Sequence, residues 1–261
     1  MKECRFGKKL HLSRPLIMLA GLRLRHWRRQ SIRNIGEKKM TTTKWYAITG
    51  AVSLLVCFIM LPSCAQRNFD LTPLEKLPKP DAEGWITLFD GETMEGWRNA
   101  RRPNEPHFWT VEDGAMTNDA DNGRDLATVA NFKDFELQIE YKTMPGGNSG
   151  VYLRGRVEVQ ILDSYGREKM DKGDAGAVYD QYAPLVNASL PPGEWHKFDI
   201  RYVGDKLTVK LNDKLVQDNV TISGVTGGAL RRGVNEPGPI MLQGDHGKTW
   251  FRNVRIKPVD M

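Results

Sequence analysis

The sequence predicts an all-β domain, a sandwich of two antiparallel sheets, on three observations. Apolar and polar residues alternate over short runs, as in Phe135-Glu-Leu-Gln-Ile-Glu-Tyr141 and across residues 151–161, 195–202 and 206–211. Breaks rich in Gly, Asn and Asp separate the runs: Pro145-Gly-Gly-Asn148, Val203-Gly-Asp205 and Asn212-Asp213. No segment sustains the i, i+3, i+4, i+7 apolar spacing of an amphipathic helix. Period-two alternation with frequent turns is the pattern of short half-buried strands.

From the N-terminus, residues 1–39 carry 12 basic and two acidic side chains. Residues 45–61, WYAITGAVSLLVCFIML, are uncharged, and the seventeen residues fall short of the roughly 20 that a membrane span needs. Met40-Thr-Thr-Thr-Lys44 precedes them and Leu61-Pro-Ser-Cys64 follows, the order of a signal peptide that ends on a small residue before Cys. Residues 1–63 are therefore expected to be a leader with its natural start at Met40. The competing reading is a transmembrane anchor with an incidental Cys. No Cys follows Cys64, so an exported thiol there has no disulfide partner and another use is expected. Residues 64–83, with Pro73, Pro78 and Pro80, read as a tether, and residues 84–261 as the folded domain.

Charge excludes one class of partner. The whole chain is formally +6, but from Cys64 onward 25 bases face 30 acids. The folding part is mildly acidic, so no nucleic-acid surface is expected. Within it, Asp113-Gly114 and Asn212-Asp213 are hairpin candidates. Trp85, Trp97, Trp195 and Trp250 are expected to pack the core, with Trp109 open to the site.

The segment from Gly150 to Asp163, GVYLRGRVEVQILD, concentrates the chemistry. Read as one strand, it puts Val151, Leu153, Val157, Val159 and Ile161 on the core face and Tyr152, Arg154, Arg156, Glu158 and Gln160 on the other. An aromatic, two guanidiniums, a carboxylate and an amide suit sugar hydroxyls in a groove. An outer sheet face with Arg–Glu pairs is the alternative. Two neighbouring guanidiniums should keep Glu158 ionised.

Taken in order, Trp85-Ile-Thr-Leu-Phe-Asp-Gly91, Trp109-Thr-Val-Glu-Asp-Gly114, Asn148-Ser-Gly-Val-Tyr-Leu-Arg-Gly155, Glu158-Val-Gln-Ile-Leu-Asp163, Gly193-Glu-Trp-His196, Ile240-Met-Leu-Gln243 and Asp245-His-Gly247 resemble the 3-keto-disaccharide hydrolase family. The resemblance implies a concanavalin-like jelly roll acting on glycosides oxidised to a ketone at sugar C3. It also implies that one base can suffice, because the ketone acidifies the C2 proton and elimination then expels the C1 substituent. The paired-carboxylate string of related β-glucanases, Glu-x-Asp-x-x-Glu, is here Glu158-x-Gln160-x-x-Asp163, with an amide in the middle.

On this resemblance Glu158 is the candidate base and His246 the candidate proton donor to the leaving oxygen. Arg154, Arg156, Gln160, Asp163, Tyr179, Gln243, Arg252 and Trp109 are candidate substrate contacts, and Glu140 and Asp163 the fallback carboxylates. The residues specify no cofactor; a divalent cation bridging the C2 hydroxyl and C3 ketone is the one the chemistry could use, with Glu158 and His246 as its holders. Leu-x-Ser-Cys resembles the bacterial lipobox, which implies a lipid on Cys64 and an envelope protein; Ala65-Gln-Arg-Asn68 lacks the acidic cluster associated with surface export, so the periplasmic side is expected rather than the cell surface. The runner-up functions are a non-catalytic carbohydrate-binding module, which calls for a flat platform of exposed aromatics, and a structural envelope domain.

Overall fold

The computed structural model describes residues 77–119 and 121–259. The expected leader, Cys64 and most of the expected tether lie outside the described residues. Thirteen strands and no helix occur among them: β1 (Ile86–Thr87), β2 (Trp97–Asn99), β3 (Thr110–Glu112), β4 (Ala115–Thr117), β5 (Leu126–Thr128), β6 (Phe135–Thr143), β7 (Asn148–Leu153), β8 (Val157–Leu162), β9 (His196–Val203), β10 (Lys206–Leu211), β11 (Lys214–Thr221), β12 (Met241–Leu242) and β13 (Thr249–Pro258). They form two antiparallel sheets in a jelly-roll sandwich. The larger sheet runs β11-β10-β9-β6-β13-β4-β3, with β1 also on β13, and the smaller runs β2-β5-β12-β7-β8.

The alternation that marked the strands sets the layers. Along β6, Phe135, Leu137, Ile139 and Tyr141 are buried while Glu136, Gln138, Glu140 and Lys142 are half-buried on the outside. From the other sheet Val151, Leu153, Val157, Val159 and Ile161 meet them in one continuous core. The two hairpin candidates form. Asp113 and Gly114 (φ 49° and 75°) join β3 to β4, and Asn212 and Asp213 (φ 51° and 63°) join β10 to β11. Two central residues at positive φ make the two-residue turn whose twist matches that of the strands.

The segment read as one strand is a hairpin. Arg154-Gly155-Arg156 turns the chain, Leu153 pairs with Val157, and Tyr152 pairs with Glu158. Leu153 and Val157 are four positions apart, an even number, so the face assignments of the apolar residues survive the turn. Those of the arginines do not. The Arg154 side chain is 0% exposed and donates to the carbonyls of Lys133, Gly204 and Val234 and to Asp134, 3.2 Å away. It also lies 3.7 Å over the Tyr202 ring. Arg156 Nη1 donates to the carbonyls of Arg154, Glu236 and Pro237. Both guanidiniums bind the hairpin tip to neighbouring loops.

The outer face of the larger sheet takes three of the tryptophans expected in the core. Trp85, Trp195 and Trp250 are half-buried there beneath Arg255, Arg252 and Lys142. A bulge in β13 between Arg252 and Arg255, with Asn253 at φ 50°, turns both arginines to this face. Trp97 alone of the four fills the core, its Nε1 donating to the Leu88 carbonyl at 2.7 Å.

Candidate active site

Strand register aligns Arg98, Ala127, Met241, Tyr152 and Glu158 in one row across the smaller sheet. Their neighbours along the strands point into the core, so this row belongs to the opposite face. Residues 226–230 fold back over it. Thr226 Oγ1 accepts from the Glu158 backbone N–H at 3.0 Å, and the Leu230 N–H donates to the Gly155 carbonyl at 2.8 Å. Leu230 also packs on Ala100, Ala127, Tyr152 and Met241. Arg156, holding carbonyls of residues 236 and 237, anchors the far end of this covering segment.

Glu158 is consequently only 3% exposed. Tyr152 Oη donates to its Oε2 at 2.7 Å, the carboxyl's one side-chain hydrogen bond among the described residues. Its Oε1 lies over Gly150, where any Cβ would collide with it. A glycine opposite Gln160 on the paired strand thus makes the space the carboxyl occupies. Burial pushes the Glu158 carboxyl up to about 7; Tyr152 and the charge of His246 pull it down, and Asp125 and Asp245 push it up. The expectation of a fully ionised Glu158 rested on Arg154 and Arg156 standing beside it, and the turn carries both away. Loss of water, not arginine, sets this carboxyl.

A second carboxylate faces the same region. Asp125 is 8% exposed and raised by burial, an effect opposed by its ion pair with Arg101 at 3.0 Å. Arg101 also donates to the Gly228 carbonyl at 2.8 Å. His246 is exposed and its Nδ1 pairs with the Asp245 carboxylate. Gln160, buried, accepts the Ile161 N–H; Gln243, half-buried, is joined to β7 through Gly150 O and Ser149 Oγ. Tyr179 donates its N–H to the Glu158 carbonyl at 3.1 Å, and its ring stands beside Gly227. The structure therefore brings Glu158, Gln160, Gln243, Tyr179 and His246 to one side of the smaller sheet.

It separates the others. Arg154 is spent on three backbone carbonyls and Asp134, and Arg156 on backbone carbonyls. Asp163 accepts the Gly146 N–H at 2.9 Å and closes the β6–β7 turn. Arg252 pairs with Glu140 at 2.8 Å on the outer face of the larger sheet, which removes Glu140 as a fallback base too. Trp109 is 4% exposed, packs on Phe251 and donates to the Arg124 carbonyl. Among the described residues no three His, Cys, Asp or Glu side chains are grouped as metal ligands.

Three contributors were missed: Tyr152 as the partner of Glu158, the Asp125–Arg101 pair, and the cover at residues 226–230. Tyr152 was recoverable, since Arg-Gly-Arg between two alternating runs is itself a turn signal and implies the Tyr152–Glu158 pairing. Asp125 and Arg101 sit in loops 24 residues apart, where no periodicity speaks.

The chain resembles known proteins in sequence and fold. A 3-keto-disaccharide hydrolase of Bacteroides thetaiotaomicron is 30% identical over 249 residues, covering 74% of this chain and 85% of that protein. A Parabacteroides distasonis protein classed as a glycosyl hydrolase superposes with a TM-score of 0.58 at 31% identity, covering 70% of this chain and 90% of its own. A second from the same organism, at 23% identity and TM-score 0.54, shares the fold, covering 69% of this chain and 95% of its own. The family model of the 3-keto-alpha-glucoside-1,2-lyase-like domain matches residues 84–257, and the chain belongs to that family.

Proposed function

We propose that this glycoside hydrolase-class domain cleaves glycosides whose sugar carries a ketone at C3. The observation that carries the reading is one buried carboxyl poised near neutrality and gripped at Oε2 by the Tyr152 hydroxyl, with no hydrogen-bond partner on Oε1 among the described residues. A base that must take a proton and release it at neutral pH works best with such a pKa. Glu158 takes the C2 proton; the C2–H electrons pass to the C3 oxygen as an enolate. They return to form the C1=C2 double bond as the C1–O bond breaks, and the leaving oxygen takes a proton from His246. The product is an unsaturated keto sugar, and addition of water across C1=C2 completes hydrolysis. Gln160, Gln243 and Tyr179 supply hydrogen bonds to the sugar.

The test is incubation with a nitrophenyl 3-keto-glucoside beside the unoxidised glucoside. Release of nitrophenol from the ketone alone is the expected result. Equal release from both would sink the 3-keto reading, and binding without release from either would favour a carbohydrate-binding module.

We also propose that Cys64 carries lipid and holds the domain at a bacterial envelope membrane on its periplasmic side. The sequence order of charge, apolar run and Leu-x-Ser-Cys supports it. Cys64→Ala is expected to move the protein from the membrane to the soluble fraction; unchanged partition would instead favour a spanning segment.

A further inference from the structure

We infer that Tyr152 is a positioning residue that holds the Glu158 carboxyl by one oxygen and keeps its base form available. The inference deepens the proposed function and rests on that reading of Glu158. It starts from the phenol, which has one proton and two acceptors: Glu158 Oε2 at 2.7 Å and the Gly227 carbonyl at 3.0 Å. The rest of the side chain has no freedom. Tyr152 is 1% exposed, wedged among Ala100, Ala127, Met241 and Leu230.

The second acceptor is fixed as well. Arg101 clamps the next peptide through the Gly228 carbonyl while Asp125 holds Arg101. Gly228 (φ +74°) is needed there, because any Cβ would collide with Tyr152 Oη. Two loops and two strands thus converge on one phenolic oxygen whose only ionisable hydrogen-bond partner among the described residues is Glu158.

The consequence is chemical. While Glu158 is a carboxylate, the phenol donates to Oε2 and stabilises the charge, as a hydrogen bond to a charged group does more strongly than one to a neutral group. When Glu158 takes a proton on Oε1, the phenol can stay on Oε2 or turn its own proton to the Gly227 carbonyl, so the phenol keeps an acceptor in both states. The groups facing Glu158 are Tyr152 on β7, His246 and Asp245 after β12, and Asp125 before β5 with its partner Arg101. Of these, Tyr152 alone makes a hydrogen bond to the carboxyl.

The test is carbon-13 NMR titration of the Glu158 carboxyl in wild type and Tyr152→Phe, beside the pH profile of kcat/KM on the nitrophenyl 3-keto-glucoside. Tyr152→Phe is expected to raise the titration midpoint by about one pH unit. The acid limb of the profile should follow, with roughly tenfold less activity at pH 6 and convergence with wild type above pH 9. An unmoved midpoint, or an equal loss at every pH, would overturn the inference. A midpoint that moves while the acid limb stays would uphold Tyr152 and instead reject Glu158 as the base. If Tyr152→Phe fails to fold, 3-fluorotyrosine at position 152, a stronger donor of similar shape, decides: the midpoint should fall, and no change overturns the inference.

Discussion

Glu158→Gln is expected to lose about 10²–10⁴-fold of turnover on a 3-keto-glucoside while the domain folds normally, since that is the usual contribution of a positioned base. The amide fits the space over Gly150 and accepts the Tyr152 hydroxyl as the carboxyl does. The folding effect has a sign that checks the environment separately. The Glu158 carboxyl goes from about 4.5 unfolded to about 7 folded. Between those values the unfolded chain has lost a proton that the folded chain keeps, so wild-type stability falls as pH rises from about 4.5 to 7 and is level above. The loss is on the order of 3 kcal/mol. Glu158→Gln has no such group, so its melting temperature should gain on wild type across this window. Thermal melts at pH 5 and pH 8 with turnover assays measure both. Near wild-type turnover would remove the assignment and move the search to Asp125, the remaining buried carboxylate of the site.

The legible part of this protein is what short-range pattern dictates. Phe135 to Tyr141 announced a strand with one wet face, and Asp113-Gly114 and Asn212-Asp213 announced hairpins, because alternation and left-handed turn residues are local facts. Glu158 stood out because a carboxylate beside Gln160 on the polar face is unusual. What was hidden depended on distance along the chain. Arg154 and Arg156 look like site residues by parity, yet they sit in a turn whose tip is pinned by residues 133–134, 204 and 232–237. Trp195 and Trp250 look like core by composition, yet an outer sheet face can bury half of each under a cation, which aromatic faces attract. Asp125, Arg101 and the Thr226–Leu230 cover meet Glu158 only through tertiary closure. The environment of Glu158 is hidden for the same reason: its neighbours along the chain are arginines, whereas its burial comes from a loop about 70 residues away.

Arg154 supplies the largest expected effect on stability. Its guanidinium is buried at the hairpin tip, and Asp134 is its one carboxylate partner among the described residues. Asp134 Oδ1 also accepts the Gly204 N–H at 2.6 Å, so one carboxylate both balances the charge and holds the β9–β10 turn. Asp134→Ala leaves a buried cation with only carbonyls around it. Removing one partner of a buried pair costs about 3–5 kcal/mol. For a domain of this size that lowers the melting temperature by roughly 6–20 °C. The double variant Asp134→Ala, Arg154→Met removes the stranded charge and is expected to recover part of the loss, because an apolar side chain over Tyr202 packs where the guanidinium lay. The geometry of Glu158 should then be the more sensitive reporter, since Arg154 and Arg156 share the turn that sets the Tyr152–Glu158 pairing. If Asp134→Ala melts within about 1 °C of wild type, well inside the shift that even 1 kcal/mol would give, the pair contributes nothing net. The hairpin tip would then be held by the three carbonyls alone.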